Sequence, residues 1–265
     1  MGALAPAEPF RALLLFVFGS CIGSFLNVCI TRLPAGESIL APASHCRSCK
    51  EPLPFRANLP LISYLLLRAR CALCGARIPV RYWLVELGAA LATLAGYLRV
   101  GAGPRLGVHL SFVCALVAAA VIDLETGIIP DAISVYGTAA AFALSWCAPA
   151  LSIEDFPSPG GSLLGALCGG GVLWATAAGY RAVTGRDGLG GGDVKLLAMI
   201  GSFAGWERVP GILAVSALAG SVCGIGLACV RKDVSLKTPL PFAPFLSLGA
   251  LVCLYTSACR VSAGR

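Results

Sequence analysis

The chain has 265 residues, 57% of them hydrophobic and only 12% charged, with a mean hydropathy of +0.84. Soluble domains carry about 25% charged residues, so the composition excludes one large water-soluble core and predicts an all-α polytopic membrane protein held in a lipid bilayer. The net charge of +7 speaks about topology, because Lys and Arg mark cytoplasmic loops. Basic patches interleaved with aromatic residues are absent, and no nucleic-acid partner is expected.

In chain order, residues 12–30 read as the first span, preceded by Arg11. A cleaved signal peptide is the alternative, and Phe18-Gly19-Ser20-Cys21 faintly resembles a lipoprotein cleavage box. The run is long for a signal segment, however, and polar Ser24 and Asn27 sit near its end. Residues 31–81 are the one long polar stretch, with eight Lys/Arg residues against Glu37 and Glu51. A segment of this size rarely holds itself together without a staple. Seven more apolar runs follow, over 82–98, 107–122, 132–150, 161–180, 194–206, 211–230 and 245–259, giving about eight transmembrane helices. The run 194–206 is the weakest and is expected to start before Asp193 or to continue past Trp206. The expected organisation is a first helix (1–30), a small cytoplasmic domain (31–81) and a transmembrane core (82–265). With 31–81 in the cytoplasm, fourteen Lys/Arg face inward, among them Arg186, Arg231, Lys232 and Lys237, and six face outward, among them Arg260 and Arg265. That asymmetry predicts both termini outside. Residues 152–161 read as a turn-rich outside loop, and Gly169-Gly170-Gly171 as a place of close helix packing.

Of the thirteen cysteines, nine are scattered, mostly within apolar runs, where Cys behaves as a small hydrophobe. The other four form Cys46-x2-Cys49 and Cys71-x2-Cys74, separated by 21 residues. Each pair can place two sulfurs on one ion from a tight knuckle, and Gly75 permits the second turn. Four thiolates make a closed tetrahedral structural site, most often for zinc. In a reducing cytoplasm the thiols stay free to bind metal, and the metal supplies the missing staple. Two disulfides, four idle thiols, or a rubredoxin-like iron site are the alternatives. His45 adjoins Cys46 as a neighbour rather than as a ligand.

Gly190-Gly191-Gly192-Asp193-Val194-Lys195 puts a carboxylate at the lip of an apolar helix, where a charge is costly and therefore a functional-site hypothesis. Asp123 ends another apolar run, and the topology places both acids on the cytoplasmic side. Two carboxylates sharing one proton can activate water and polarise a scissile carbonyl. No nucleophile elbow, H-E-x-x-H or phosphate-cradling loop competes with them. Gly190 and Gly192 would let a peptide backbone lie alongside. Lys195 either biases the pair's ionisation or snorkels to the interface. Asp131, after Pro130, either caps the next helix or stands in reserve for the pair. Glu86 lies inside a span and should meet a substrate group or a hydrogen-bond partner in the bundle. Glu125 faces water.

Taken in order, these motifs resemble the type IV prepilin peptidase family. Gly23-Ser24-Phe25-Leu26-Asn27-Val28 with Arg32-Leu33-Pro34 is similar to its opening motif. The cysteine pairs come next, then Asn58-Leu59-Pro60-Leu61-Ile62-Ser63-Tyr64, and Arg81-Tyr82 with Val85-Glu86-Leu87. Ile122-Asp123-Leu124 with Ile129-Pro130-Asp131, Gly190 to Leu197, and Pro241-Phe242-Ala243-Pro244-Phe245-Leu246 complete the set. The resemblance implies a membrane aspartic peptidase of the bacterial inner membrane, multi-pass, with its active site facing the cytoplasm. Asp123 and Asp193 would be the catalytic pair. The substrates would be type IV prepilins or type II secretion pseudopilins, cut after a glycine at the end of a short basic leader. N-methylation of the new terminus with S-adenosylmethionine would follow. No nucleotide motif in the chain corresponds to that cofactor. Cys29, Thr31 and Glu125 depart from the family's usual residues. A preflagellin or presenilin-like peptidase, a proton-coupled transporter with a regulatory zinc module, and a pilus-assembly scaffold are the rival readings. The transporter would place its acids at mid-span, often within internal repeats.

Overall fold

A computed structural model of the chain describes residues 8–151, 153, 156–185, 188–230 and 240–256. The regular elements are α1 (Glu8–Arg32), α2 (Ile62–Leu66), α3 (Val80–Val100), α4 (Pro104–Thr126), α5 (Asp131–Cys147), α6 (Pro159–Thr184), α7 (Gly191–Ala204), α8 (Val209–Val230) and α9 (Ala243–Tyr255). Short 3-10 turns cover Phe55–Asn58 and Trp206–Arg208. No strand occurs among the described residues.

All eight expected apolar runs are helices, and the five-residue α2 is an addition within the polar segment. Five stretches are long and apolar enough to cross a bilayer: Pro9–Arg32, Val80–Val100, Pro104–Thr126, Pro159–Thr184 and Trp206–Leu227. α9 is a shorter apolar helix, and α5 and α7 have 17 and 14 residues. The chain is a multi-pass membrane protein. Phe10, Leu14 and Phe18 on α1 and Leu163 and Leu167 on α6 stand exposed, the arrangement that suits side chains facing lipid rather than water. Arg186, Arg231, Lys232, Lys237, Arg260, Arg265, part of the 152–161 loop and the end of the eighth predicted span lie outside the described residues.

The chain divides into two compact units, Met1–Cys114 and Ala115–Arg265. In the first, α1 packs along α3, and Asn27 Nδ2 donates to the Tyr82 carbonyl at 2.9 Å. The polar segment joins these two helices.

The second unit is built around α7, which packs on α5 and α6. Leu196, Leu197, Met199 and Ile200 have no exposed surface. This short helix begins before Asp193, at Gly191, and stops at Gly205, whose φ of 84° leaves the helical region. α6 and α7 touch backbone to backbone. A Cβ on Gly165 or on Gly201 would collide with the other's carbonyl oxygen, and one on Gly169 would strike the Leu197 carbonyl. The expected glycine packing site is therefore real at Gly169. It centres on Gly165 and Gly201, and Gly171 meets no neighbour. A hydrogen bond between the Ser162 and Ser202 hydroxyls, 2.7 Å long, crosses the same seam. Such bonds and small residues are what join helices where lipid removes the hydrophobic drive. Gly201→Val should therefore destabilise the unit by about 1–3 kcal/mol. Gly171→Ala should raise stability by up to about 1 kcal/mol through helix propensity alone. Thermal melts of the detergent-purified variants would check both, and equal melts would contradict the seam.

Candidate active site and metal centre

In the second unit, Asp123 sits in the last turn of α4 and Asp193 in the first turn of α7. Asp123 is 7% exposed and Asp193 9%. A buried carboxylate is expensive unless it is partnered or functional. Asp123 Oδ2 accepts the Ala243 N–H at 3.0 Å. Ala243 is the first residue of α9, whose N-cap, Phe242, provides no side-chain cap. Its N–H is one of the donors that a helix start leaves unsatisfied, and it lies at the positive end of the helix dipole. The Ser247 hydroxyl, one turn on, donates to the Leu116 carbonyl at 3.1 Å, fixing α9 against α4. Asp193 lies close enough to Asp123 for the charge of one to act on the other. Its Oδ1 is buried and has no hydrogen-bond partner.

The glycines before Asp193 are under close spatial constraint. A Cβ on Gly192 would come within 3.1 Å of Ile129, in the loop that follows α4, and one on Gly190 within 3.2 Å of Asp193 Oδ2. A side chain at Gly192 would push the helix start and the α4 loop apart by a few tenths of an ångström, and one at Gly190 would crowd the Asp193 carboxylate.

Lys195 does not reach the aspartate pair. Its Nζ lies 2.6 Å from Asp131 Oδ1, with both side chains about half exposed. The alternative of Asp131 as a cap of α5 fails too. Pro130 holds the N-cap position without a side-chain cap, and Asp131 is the first residue of the helix. Its charge there still complements the positive helix end.

Glu86, in α3 of the first unit, accepts the Leu61 N–H through Oε2 at 2.7 Å. That partner comes from the polar segment, at the start of α2. Leu61 has φ +60° and ψ −49°, a region that L residues rarely visit.

The four cysteine sulfurs of the polar segment lie within 4.8 Å of one another, and Cys46 Sγ is 3.9 Å from Cys74 Sγ. A tetrahedral ion with metal–sulfur bonds of about 2.3 Å sets its sulfurs about 3.8 Å apart, so the quartet fits a metal ion. His45 stands outside the quartet and approaches the Ala43 carbonyl at 3.1 Å. The two knuckles repeat one backbone pattern. Cys46 N–H donates to the Glu51 carbonyl and Lys50 N–H to the Cys46 carbonyl; Cys71 N–H donates to Ala76 and Gly75 N–H to Cys71. Backbone N–H groups of Cys49 and Ser48 aimed at the Cys46 sulfur lower its thiol to about 6, whereas, against the lowering Glu51 N–H, burial and the Cys46 and Cys74 sulfurs raise that of Cys49 to about 11.

The matching position of each turn is left-handed, with φ 72° at Gly75 and 61° at Lys50. Glycine holds this conformation freely, whereas a lysine bears a strain of roughly 1–2 kcal/mol. Lys50→Gly should therefore stabilise the module by up to about 1 kcal/mol. Slower metal loss to a chelator would register the gain, and faster loss would contradict it.

Sequence reasoning missed the Ala243 amide and the turn held by Glu86. The signal for the first was present, since Pro244 in the first turn of α9 marks a helix start with free amides. Nothing short of the fold tells which carboxylate takes one.

No solved structure matches this chain. Residues 17–100 match the Bacterial Peptidase A24 N-terminal domain, and residues 110–225 match the Type IV leader peptidase family. A prepilin leader peptidase/N-methyltransferase of Aeromonas hydrophila is 34% identical over 266 residues, covering 91% of this chain and 89% of that protein. One from Pseudomonas putida is 34% identical over 95% of this chain and 92% of its own. One from Myxococcus xanthus is 38% identical over 91% of this chain and 72% of its own. With two successive domain matches and relatives aligned over nearly its whole length, the chain belongs to the type IV leader peptidase family.

Proposed function

We propose that the protein cleaves the short basic leader of type IV prepilins or type II secretion pseudopilins, with Asp123 and Asp193 as its acid/base pair. The observation that carries this reading is the burial of two carboxylates within reach of each other's charge, both at ends of apolar helices. One carboxylate, ionised, takes a proton from water as its oxygen attacks the scissile carbonyl. The other, protonated, gives its proton to the carbonyl oxygen. Collapse of the tetrahedral diol breaks the C–N bond: the proton first taken from water passes to the leaving amine, and one hydroxyl returns its proton to the second carboxylate, which restores the pair. The pair titrates as a unit, so neither role is fixed to one residue beforehand. The Ala243 amide holds the Asp123 carboxylate in place. Gly191, where an added side chain would meet nothing, leaves the start of α7 open next to Asp193.

The inner membrane is the proposed location, with the pair facing the cytoplasm. That is where a prepilin's basic leader meets its membrane-borne hydrophobic helix. Segment 31–81 is a cytoplasmic module stapled by zinc on Cys46, Cys49, Cys71 and Cys74, and 82–265 is the peptidase core. The zinc site is closed and structural, since all four ligands come from the protein. N-methylation of the new terminus follows, as in the names of the relatives; S-adenosylmethionine supplies the methyl group when bound.

The test is to incubate the purified chain in detergent with a prepilin-like substrate and to weigh the products. A leader fragment ending in glycine, and a mature chain lacking it, are expected. An uncut substrate beside folded, metal-loaded protein would contradict the reading.

A further inference from the structure

From Pro52 to Arg81 the chain holds five arginines, Arg56, Arg68, Arg70, Arg77 and Arg81, and no Asp, Glu or Lys. The first four of these side chains are exposed. Among them lies α2, which has two unlike faces. Ser63, Tyr64 and Leu67 turn inward and line a cavity of the first unit. Ile62, Leu65 and Leu66 are neighbours on the other face and are 57%, 63% and 76% exposed. Leu59, just before the helix, is exposed as well. An apolar patch rimmed by charge marks an interaction surface.

The depth of α2 says what covers that patch. Leu61, the residue before the helix, donates its N–H to Glu86 Oε2. Glu86 lies six residues past Val80, where the membrane-spanning α3 begins, or about 9 Å along its axis. Gly23 of α1 meets α3 at the same level, since a Cβ on Gly23 would collide with the Glu86 Cα. The span of α1 runs on from there to Arg32. The start of α2 is therefore inside the ends of both spanning helices, where lipid headgroups give way to acyl chains. An amphipathic helix rests with its apolar face about 5–10 Å into that boundary.

The end of α2 adds a second observation. Ala69 N–H donates to the Tyr64 carbonyl and Arg68 N–H to the Leu65 carbonyl, the two bonds that close a helix on a left-handed residue, usually glycine. Here that residue is Arg68, with φ 49°. An arginine in a position that suits glycine strains the turn, and it sets a cation just past the apolar face. Strain of this kind gathers at functional positions.

We propose that α2 lies in the bilayer surface, with Ile62, Leu65 and Leu66 among the acyl chains and Arg68 and Arg70 on the phosphates of anionic phospholipids. The bilayer already surrounds the neighbouring helices α1 and α3, so the patch continues a lipid-facing surface. The arginines attract anionic headgroups and repel a basic leader. The cysteine module is thereby held to the membrane by its own lipid contact, besides its covalent links to α1 and α3. None of this depends on which reaction the second unit performs.

The experiment uses the full metal-loaded chain in nanodiscs of equal parts phosphatidylcholine and phosphatidylglycerol. The photoreactive amino acid p-benzoylphenylalanine replaces Leu66, or Leu163 of α6 as a lipid-facing control. After irradiation the peptides are weighed for lipid adducts. Adducts are expected at both positions. At position 66 phosphatidylglycerol should exceed phosphatidylcholine at least about fivefold, the ratio that one arginine near an anionic surface gives; at position 163 the two lipids should be taken alike. Arg68→Gly relieves the left-handed strain, so the module keeps its metal, yet the enrichment should fall about fivefold. Arg70→Gln removes the next charge without touching that turn and should act in the same direction. The proposal is overturned if position 66 gives no lipid adduct while position 163 does, or if it cross-links to a second copy of the chain instead. An enrichment unchanged in both arginine variants would overturn it too. If one variant loses its metal, the other variant and the wild-type adducts still decide.

Discussion

Cys46→Ser should lose its bound metal and unfold the module between α1 and α3, while the apolar helices remain inserted. The segment of roughly fifty residues has little apolar core: among its side chains Cys71 is buried, but Leu40, Leu59, Leu65, Leu66 and Leu73 are exposed. Its order rests on the two knuckles, on the Arg32 guanidinium, which donates to the Ser38 and Pro42 carbonyls, and on whatever joins the four sulfurs. Structural zinc contributes about 10–16 kcal/mol to folding in small metal-bound peptides, far more than those few hydrogen bonds at about 1 kcal/mol each. Replacing one thiolate by a hydroxyl removes a strong ligand and opens the tetrahedron. Metal analysis and limited proteolysis of residues 33–79 would show it: depleted metal and rapid cutting in the variant, neither in wild type. Full metal content and unchanged protection in Cys46→Ser would refute the four-thiolate site.

The clustering of the four cysteines and the helix order were legible because each depends on short-range pattern. Cysteine spacing defines the knuckles wherever the rest of the chain goes. Apolar runs of this length form helices because a bilayer leaves the backbone no other partner. Asp123 and Asp193 could be singled out one by one for the same reason, as charges at apolar helix ends. Other features depend on residues far apart in sequence. The Ala243 amide meets Asp123 from 120 positions away, and Glu86 meets Leu61 from 25. Gly165 and Gly201 show themselves as a contact only when α6 and α7 are laid together. Lys195 looked like a partner for the pair because it follows Asp193 by two residues. Residues two apart on a helix point in different directions, and its ammonium turns instead to Asp131. The left-handed Lys50 was hidden for another reason: lysine gives no hint of the conformation that Gly75 announces in the other knuckle.

Asp193→Asn and Asp123→Asn should each abolish leader cleavage, a loss of roughly a thousandfold or more given what a positioned acid or base contributes. Asparagine keeps the size and shape of the side chain but can neither take the proton from water nor yield one to the carbonyl oxygen. Asparagine at position 123 can still accept the Ala243 amide, so α9 keeps its anchor and the loss would not be one of folding. A scaffold would tolerate both changes. A transporter would lose transport in both and would never have cut the leader.

The measurement that bears most directly on the two-aspartate claim is the leader-cleavage rate of wild type beside Asp193→Asn, both purified in detergent with equal metal content. Cleavage at the glycine by wild type, with none by the variant, is the predicted result. A variant that cuts the leader at a rate near wild type would remove Asp193 from the chemistry and with it the aspartate pair.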